Sequence, residues 1–434
     1  SSVETNITVT IDGTITGWRF NNGGHKLKLL TISNWGNLNI STNSAFYGCT
    51  NLTVSASNAP TISSTDLQKT FQDCTNFNGN IGTWDVSNVT NMSSMFQSAT
   101  AFNNGGSDSI KNWNTSSVNN IVNLFLAASS FNQPIDTDGD KWDISGVSDL
   151  GAVFGSATSF NQDLNGWDVS NVTNMNSAFS GATSFNGNIA SWNVSSVTTM
   201  VGTFQNTSSF NNGGQAMTRD GDKWNTSSVN NMTNMFRGSA FNQNIGNWDT
   251  SSLVNVTSMF QTNDVFNQDI GSWDMADVHT FRNMFYHADA FNNGGSDNIK
   301  NWDTSSGLFM DAMFRDAVAF NQPIPTNSSK WDVSKVTRMD YMFYNADAFQ
   351  QDLSTWDFVD ITNPSTGFTG FMQGKTGSDA MSTANYNSLL VRIEATNEET
   401  NLVFHGGGAE PTGTGDTARA TLITRGWTIT DADS

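Results

Sequence analysis

Charge is scarce in this sequence, because acidic and basic residues together make up 13% of its 434 positions. A chain so poor in charge is neither an acidic disordered tail nor a coiled coil, since both need dense charge. Long apolar runs are also missing: no eighteen consecutive apolar residues occur, so the sequence holds no candidate for a membrane-spanning helix. The first residues are polar and lack a signal-peptide core, which a cleaved leader or a trimmed sequence would explain equally well.

Cysteine is nearly absent. The two examples, Cys49 and Cys74, stand in the matching contexts FYGCTNL and FQDCTNF. Two cysteines cannot define the redox compartment of a protein. We expect both to be buried small side chains, as free cysteines usually are, and a disulfide between neighbouring repeats is the alternative.

Basic residues are outnumbered, with 19 Lys and Arg against 39 Asp and Glu and a formal net charge of −20. Such a surface repels phosphate backbones and anionic lipids, so we expect neither nucleic acid nor a membrane as a partner. It suits solubility in a salty medium, or divalent cations as counter-ions.

Aromatic residues are plentiful, with 14 Trp and 30 Phe, and they recur at fixed spacing. Each repeated Trp is followed by Phe twelve residues later, and in most units by a second Phe six residues after that. Large length variation lies between the second Phe and the next Trp, which is typical of surface loops on one side of a stacked array. The repeated tryptophans are Trp84, Trp113, Trp142, Trp167, Trp192, Trp224, Trp248, Trp273, Trp302, Trp331 and Trp356.

Two periodicities alternate within each unit. Trp84 and Val86 alternate with Asp85, which predicts a short strand with the two apolar side chains inward. The next apolar residues keep three- and four-residue spacing and predict one to two helical turns: Val89, Met92, Met95, Phe96, Ala99 and Phe102. Such a unit cannot bury its own apolar face, so the sequence predicts an α/β solenoid of about 12–13 stacked strand-plus-helical-turn units with parallel strands.

The repeat I-x-x-W-D-V-S-x-V-T-x-M-x-x-M-F-x-x-A-x-x-F-N resembles that of the BspA-like leucine-rich-repeat surface proteins. These occur on bacteria, mycoplasmas and some parasitic protists, and related arrays occur in some viral proteins. The segment SAFYGCTNL at 44–52 is similar to the other repeat variant of that family. The resemblance covers roughly residues 40–372. It implies a leucine-rich-repeat-like, right-handed coil, surface display, adhesion and binding to protein or matrix, with no shared catalytic residues.

The two ends of the chain leave the repeat pattern, as the terminal units of a solenoid must because their outer faces meet water. Residues 1–40 alternate in ITVTIDGTITGWRF and predict an N-terminal β cap ahead of the tandem repeats at 41–372. Residues 373–434 predict a C-terminal αβαβ cap, with helices in STANYNSLLVRIEA and GDTARATLITRG and strands in NLVFHGG and WTITD.

An acidic or amide residue follows every repeated Trp, and its side chain should point outward on the predicted strand. Closely stacked carboxylates repel one another unless they bind a cation, a hydrogen-bond donor or a ligand. This position is therefore a candidate binding face, and the alternative is that each side chain accepts hydrogen bonds from the amides of the following turn. The candidate binding residues are Asp85, Asp143, Asp168, Asp249, Asp274, Asp303, Asp332 and Asp357, with Asn114, Asn193 and Asn225 in the remaining units.

The loop DTDGDKWD places Asp136, Asp138, Asp140 and Asp143 around a glycine. Alternate carboxylates in a tight turn resemble the opening of a calcium loop, because calcium prefers oxygen ligands. The distal Glu that completes an EF-hand is missing. We therefore expect either a calcium site or a solvated acidic turn.

A second amide column follows the second Phe of each unit. An amide repeated at one position usually satisfies backbone groups in its own turn and the next, so we expect this column to be structural. Its members are Asn78, Asn103, Asn132, Asn161, Asn186, Asn211, Asn242, Asn267, Asn292, Asn321 and Gln350.

No catalytic motif is evident, since the four histidines lie in different units or caps and no nucleophile motif or phosphate loop occurs. We expect a secreted or surface-displayed adhesin that binds protein or glycan along its strand face, outside the cell or on its surface. The alternative is a structural component of a virion, as a fibre or a capsid decoration on the virion surface, or of an extracellular filament or sheath. A third interpretation is an enzyme that uses the acidic row as paired carboxylates.

Overall fold

The computed structural model describes residues 13–432 of the chain. Its strands are β1 (Ile15–Thr16), β2 (Thr31–Ile32), β3 (Leu38–Ile40), β4 (Thr53–Val54), β5 (Thr61–Ile62), β6 (Val403–His405) and β7 (Thr428–Thr430). Its α-helices are α1 (Thr383–Thr396) and α2 (Thr414–Thr424). Short 3-10 helices span Lys26–Lys28, Asn104–Gly106, Asp108–Asn112, Asn212–Gly214, Asn293–Gly295, Asp297–Asn301 and Gly377–Asp379. Among residues 13–432, no helix has the length and apolarity that crossing a membrane requires.

Parallel backbone contacts link consecutive repeats. β1, β3 and β5 form one parallel sheet, and β2 and β4 form another. Beyond β5 the contacts continue as single parallel bridges in two runs, Asp66–Asn91–Asn120 and Asp149–Asn174–Thr199–Asn231–Asn255–Thr280–Phe309–Arg338. A last bridge joins Phe368 to Phe404 in β6, which pairs in parallel with β7. The chain is thus a tandem-repeat protein whose consecutive repeats are joined by backbone hydrogen bonds.

In the two runs, from Asn91 onward, the bridged residue of each repeat lies seven positions after the repeated Trp, as Asn91 does after Trp84. The prediction of a strand at the tryptophan itself is therefore wrong. The predicted alternation of burial is confirmed, because Trp84 and Val86 are buried and Asp85 between them is exposed. The backbone turns at once after this point: the Ser87 amide donates to Asp85, and Val89 N donates to Val86 O. Too few extended residues are left to pair with a neighbour.

The predicted helical turns are also wrong, because the segment after the bridge is a series of β-turns. Met95 N donates to Met92 O at 3.1 Å and closes one turn, whereas Met92 N donates to Asn120 O of the next repeat at 2.8 Å. Ser94 and Ser98 have φ of 55° and 57°, in the left-handed region that an α-helix excludes. Thirteen such pairs, four residues apart, recur from Ser44 and Gly48 to Gly370 and Gly374, which agrees with the expected number of repeats.

The core is a set of aromatic columns that run along the array. Phe96 and Phe125 stack with ring centroids 5.5 Å apart, and Trp113 and Trp142 stack at 6.0 Å. The repeated tryptophans are all buried. From Trp113 to Trp356, each indole Nε1 donates to a backbone carbonyl of the preceding repeat. Stacking and hydrogen bonding therefore tie each repeat to the one before it.

Both cysteines are free and buried, so the predicted burial is confirmed and the alternative disulfide is not formed. Cys74 Sγ donates to Phe46 O at 3.0 Å. Burial raises the pKa of the Cys49 thiol to about 12, with the Lys26 charge acting in the opposite direction. These thiols are packing residues and poor nucleophiles.

The C-terminal residues form α1, β6, α2 and β7 in the order that the sequence predicts. Met372 N donates to His405 O at 2.9 Å, so β6 continues the contacts that link the repeats. At the other end, β1, β2 and β3 lie within the segment expected to form the N-terminal cap. The first residues of that predicted segment, before Gly13, lie outside the described residues.

Candidate functional site

The residues after each Trp form what we call the aspartate row: Asp85, Asp143, Asp168, Asp249, Asp274, Asp303, Asp332 and Asp357, with Asn114, Asn193 and Asn225. In all eleven, the side-chain Oδ1 accepts the backbone N–H of the residue two positions later, at 2.9–3.3 Å. Asp and Asn favour this local bond because their short side chains reach the next turn. The alternative that these side chains accept turn amides is confirmed, and the row lies on turns instead of a strand face.

The local bonds favour the ionised form of three carboxylates of the row. The hydroxyl and the amide of Ser87 lower the pKa of Asp85. The Ser251 hydroxyl lowers the pKa of Asp249, helped by the Arg219 guanidinium at 3.1 Å. Burial raises the pKa of Asp303, but hydrogen bonds from serines and the nearby Lys330 charge outweigh it, and the net direction is down.

The second carboxylate oxygen of some members remains accessible. Asp85, Asp168 and Asp274 are exposed, and within residues 13–432 their Oδ2 atoms take no hydrogen bond. Each carboxylate is therefore fixed at one oxygen by its own turn and open to solvent at the other. A fixed, charged acceptor can bind a hydroxyl, an amide or a cation of an external partner.

The structure does not gather Asp136, Asp138, Asp140 and Asp143 into a metal site. Asp136 accepts the Gly166 amide at 2.8 Å, and Asp138 forms an ion pair with Lys141 at 3.6 Å. Asp143 accepts the Ser145 amide, as a member of the aspartate row. Within the described part of the chain, no group of three or more His, Cys, Asp or Glu residues could hold a metal ion. The geometry favours the solvated acidic turn over the calcium site, because Asp136, Asp138 and Asp143 each have a different local partner and the four carboxylates do not form a common ligand set.

The second amide column is structural, as predicted. Each of its Asn side chains accepts, through Oδ1, the backbone N–H of the next member, in ten bonds of 2.8–3.0 Å that run to Gln350. The column therefore continues the backbone hydrogen bonding between repeats.

One further cluster was not predicted from the sequence. We call it the arginine–tyrosine patch: Tyr286, Arg315, Tyr341 and Tyr344, flanked by Arg282 and Arg338. Three tyrosine rings surround the Arg315 guanidinium with centroids at 4.9, 5.1 and 4.9 Å. A signal was available, because Tyr286, Arg315 and Tyr344 stand at one position of three consecutive repeats and only five Tyr occur in the chain.

Comparison with known proteins finds one family model. It is described as "Mycoplasma protein of unknown function, DUF285", and it matches the chain four times, over residues 20–136, 105–217, 212–297 and 295–380. No curated protein and no solved structure matches the chain.

Proposed function

The chain belongs to the DUF285 family, and we propose that it is a secreted or surface-displayed recognition protein that binds protein or glycan along the aspartate row. In this proposal the repeats form a leucine-rich-repeat-like, right-handed solenoid, and the aspartate row follows its length. The resemblance of the repeat to BspA-like surface proteins supports display outside the cell.

The observation that carries the proposal is the uniform geometry of the row. Every member accepts the same turn amide, so chemically similar groups recur in the same orientation from repeat to repeat. Stacked rings of neighbouring repeats, such as Trp248 and Trp273 at 6.4 Å, set a short and regular interval between them. Uniform chemistry at regular spacing suits a partner that is itself repetitive, such as a polysaccharide or a surface of identical subunits.

A charge-neutral variant of the row tests this function. Asp249, Asp274 and Asp303 would be replaced together by Asn, a residue that the row already carries in three repeats. Because Asn accepts the same turn amide, the variant keeps the turn and loses the charge. The full chain would be screened on a glycan array and on immobilised matrix proteins.

We expect the screen to find a ligand of the native chain. The triple variant should bind this ligand at least about tenfold more weakly, because it loses charge-assisted hydrogen bonds. In a separate arm, the loop 211–223 would be shortened to the spacing of the shortest units. Attachment that survives the triple substitution but disappears with the loop would overturn the assignment to the row. Regular filaments or lattices in electron micrographs would favour the structural alternative.

A further inference from the structure

Three consecutive repeats carry tyrosine or arginine at a turn position that holds Gly, Ser or Gln in most other repeats. Tyr286, Arg315 and Tyr344 occupy the position thirteen residues after Trp273, Trp302 and Trp331. Other repeats hold Gln97, Leu126, Gly155, Ser180, Gln205, Arg237 and Gln261 at this position. The arginine–tyrosine patch is therefore a local feature superimposed on a uniform array.

The Arg315 guanidinium is held between aromatic rings. Its Cζ lies 4.9 Å from the ring centroids of both Tyr286 and Tyr344, which belong to the preceding and following repeats. Tyr341 adds a third ring at 5.1 Å, and Arg315 Nε contacts Asp316 at 3.2 Å. Rings that cover the faces of a guanidinium leave its in-plane N–H groups as the atoms able to reach a partner. The arginine is thus already ordered before any partner binds.

The charges of the patch are layered. The carboxylate side chains lie underneath, with 8% exposure for Asp311, 11% for Asp316 and 13% for Asp340. The guanidinium side chains lie above them, with 39% exposure for Arg282, 33% for Arg315 and 29% for Arg338. These three cations and three anions balance formally, but the guanidinium groups are the more exposed, so the patch presents cations to solvent in a chain of net charge −20.

We propose that the arginine–tyrosine patch binds an extended, acidic segment of a partner protein. Arginine and tyrosine are among the residues that most often dominate protein interfaces, and ordering them in advance lowers the entropic cost of binding. Guanidinium forks match carboxylates in geometry and charge. The site uses a part of the repeat different from the aspartate row, so the inference goes beyond the proposed function.

The spacing of the repeats fits an extended peptide. Phe285, Phe314 and Phe343, the core rings beneath the patch, stack at 5.6 and 5.8 Å. Alternate residues of an extended strand are spaced by about 6.5–7 Å, which long arginine side chains can match. Arg282, Arg315 and Arg338 belong to three consecutive repeats, so acidic residues at every second position of an extended partner would recur at about the interval of the repeats that carry these arginines.

The test is fluorescence-anisotropy titration of the full chain with a labelled octapeptide of alternating Glu and Thr. Arg315→Gln removes the central cation, and Arg237→Gln is the matched control, because Arg237 has the same repeat position without tyrosine neighbours. We expect saturable binding that Arg315→Gln weakens about tenfold and Arg237→Gln leaves within about twofold. A Gln–Thr octapeptide should not bind, and the triple Asn variant of the aspartate row should bind the acidic peptide normally.

Thermal melting would show whether the Arg315→Gln variant folds. If it does not fold, Arg282→Gln, at an exposed edge of the patch, would be used in its place. Equal weakening by the Arg237 and Arg315 substitutions, or no saturable binding, would overturn the proposal. Tighter, Arg315-dependent binding of polygalacturonate would assign the patch to an acidic glycan instead. Sedimentation showing that the native chain self-associates and that Arg315→Gln does not would assign it to a second copy of the chain.

Discussion

The indole Nε1 of Trp192 donates a hydrogen bond of 2.8 Å to the carbonyl oxygen of Leu164 in the preceding repeat. Trp84 occupies the same position near the start of the series, but within residues 13–432 its buried Nε1 has no hydrogen-bond partner. The two tryptophans therefore separate two contributions, the packing of the ring and the hydrogen bond between repeats.

Replacing Trp192 by Phe should destabilise the protein more than the same change at Trp84. At Trp192 the substitution removes one of the two donors to the buried Leu164 carbonyl, which keeps the Trp167 amide at 3.0 Å. The lost hydrogen bond should cost about 0.5–1.5 kcal/mol, in addition to the cost of the lost volume. At Trp84 the substitution removes an unsatisfied donor, and this gain in stability offsets part of the cost of the lost volume. Trp192→Ala should cost about 3–5 kcal/mol. Denaturant melting measures all three, and equal losses for the two Phe variants would show that the hydrogen bond contributes nothing.

The amide column supplies the second prediction. Asn103 Oδ1 accepts the Asn132 amide at 2.9 Å and the Gln133 side chain at 2.9 Å. Asn103→Ala should therefore lower the free energy of unfolding by about 1–3 kcal/mol, because the Asn132 amide loses its acceptor and the Gln133 side chain keeps only the Asn103 backbone carbonyl, at 3.2 Å. Asn88 is the control, since it is exposed and its side chain makes no hydrogen bond within the described residues. Asn88→Ala should change stability by less than about 0.5 kcal/mol, and comparable losses at both sites would contradict a special role for the column.

The sequence predicted which side chains are buried or paired better than it predicted the backbone path. Burial of Trp84 and Val86 follows from apolarity and does not depend on whether a strand forms. The apolar spacing of Met92, Met95 and Phe96 fits a helical stripe, but a series of β-turns places apolar residues at the same intervals. The discriminating signal lies between them, in Ser, Asn and Gly residues four apart that accept positive φ.

The candidate site divides in a similar way. The hydrogen bond between an Asp side chain and its own turn involves residues that are neighbours in sequence. The sequence could therefore predict this bond, as one of two alternatives, for the aspartate row. The arginine–tyrosine patch depends on which repeats become neighbours. Tyr286, Arg315 and Tyr344 are 29 residues apart in sequence, and only the register of the array brings them together.

Calcium supplies the third prediction. We expect no saturable heat on titration with calcium at millimolar concentration and no rise in the melting temperature. Asp138 is engaged with Lys141, and Asp136 with the Gly166 amide, so binding the ion would require breaking existing contacts. Asp138→Asn should behave like the native chain. Saturable binding that Asp138→Asn abolishes would show that the loop rearranges into a calcium site.

Lys375 gives the last prediction. Its side chain is fully buried, and Nζ donates to the carbonyl oxygens of Ala346 at 2.5 Å and Asp347 at 3.0 Å. In earlier repeats the carbonyl equivalent to Asp347 accepts a backbone amide of the following repeat, as Val318 O accepts Ala348 N at 3.1 Å. The ammonium group thus replaces the backbone donor that the next repeat would have supplied.

Burial lowers the pKa of Lys375 from 10.5 to about 8, while the charges of Asp347 and Asp379 act in the opposite direction. Below pH 8 both the folded and the unfolded chain hold the proton, and the folded state carries the full cost of a buried charge. Between pH 8 and 10.5 the folded chain releases the proton and the unfolded chain keeps it, so stability should rise with pH, by roughly 3 kcal/mol at most. Lys375→Met lacks the titrating group, and the stability difference between native and variant chains, measured by denaturant melting from pH 7 to 10.5, isolates this contribution. A difference that stays constant with pH would show that Lys375 keeps an ordinary pKa in the folded protein.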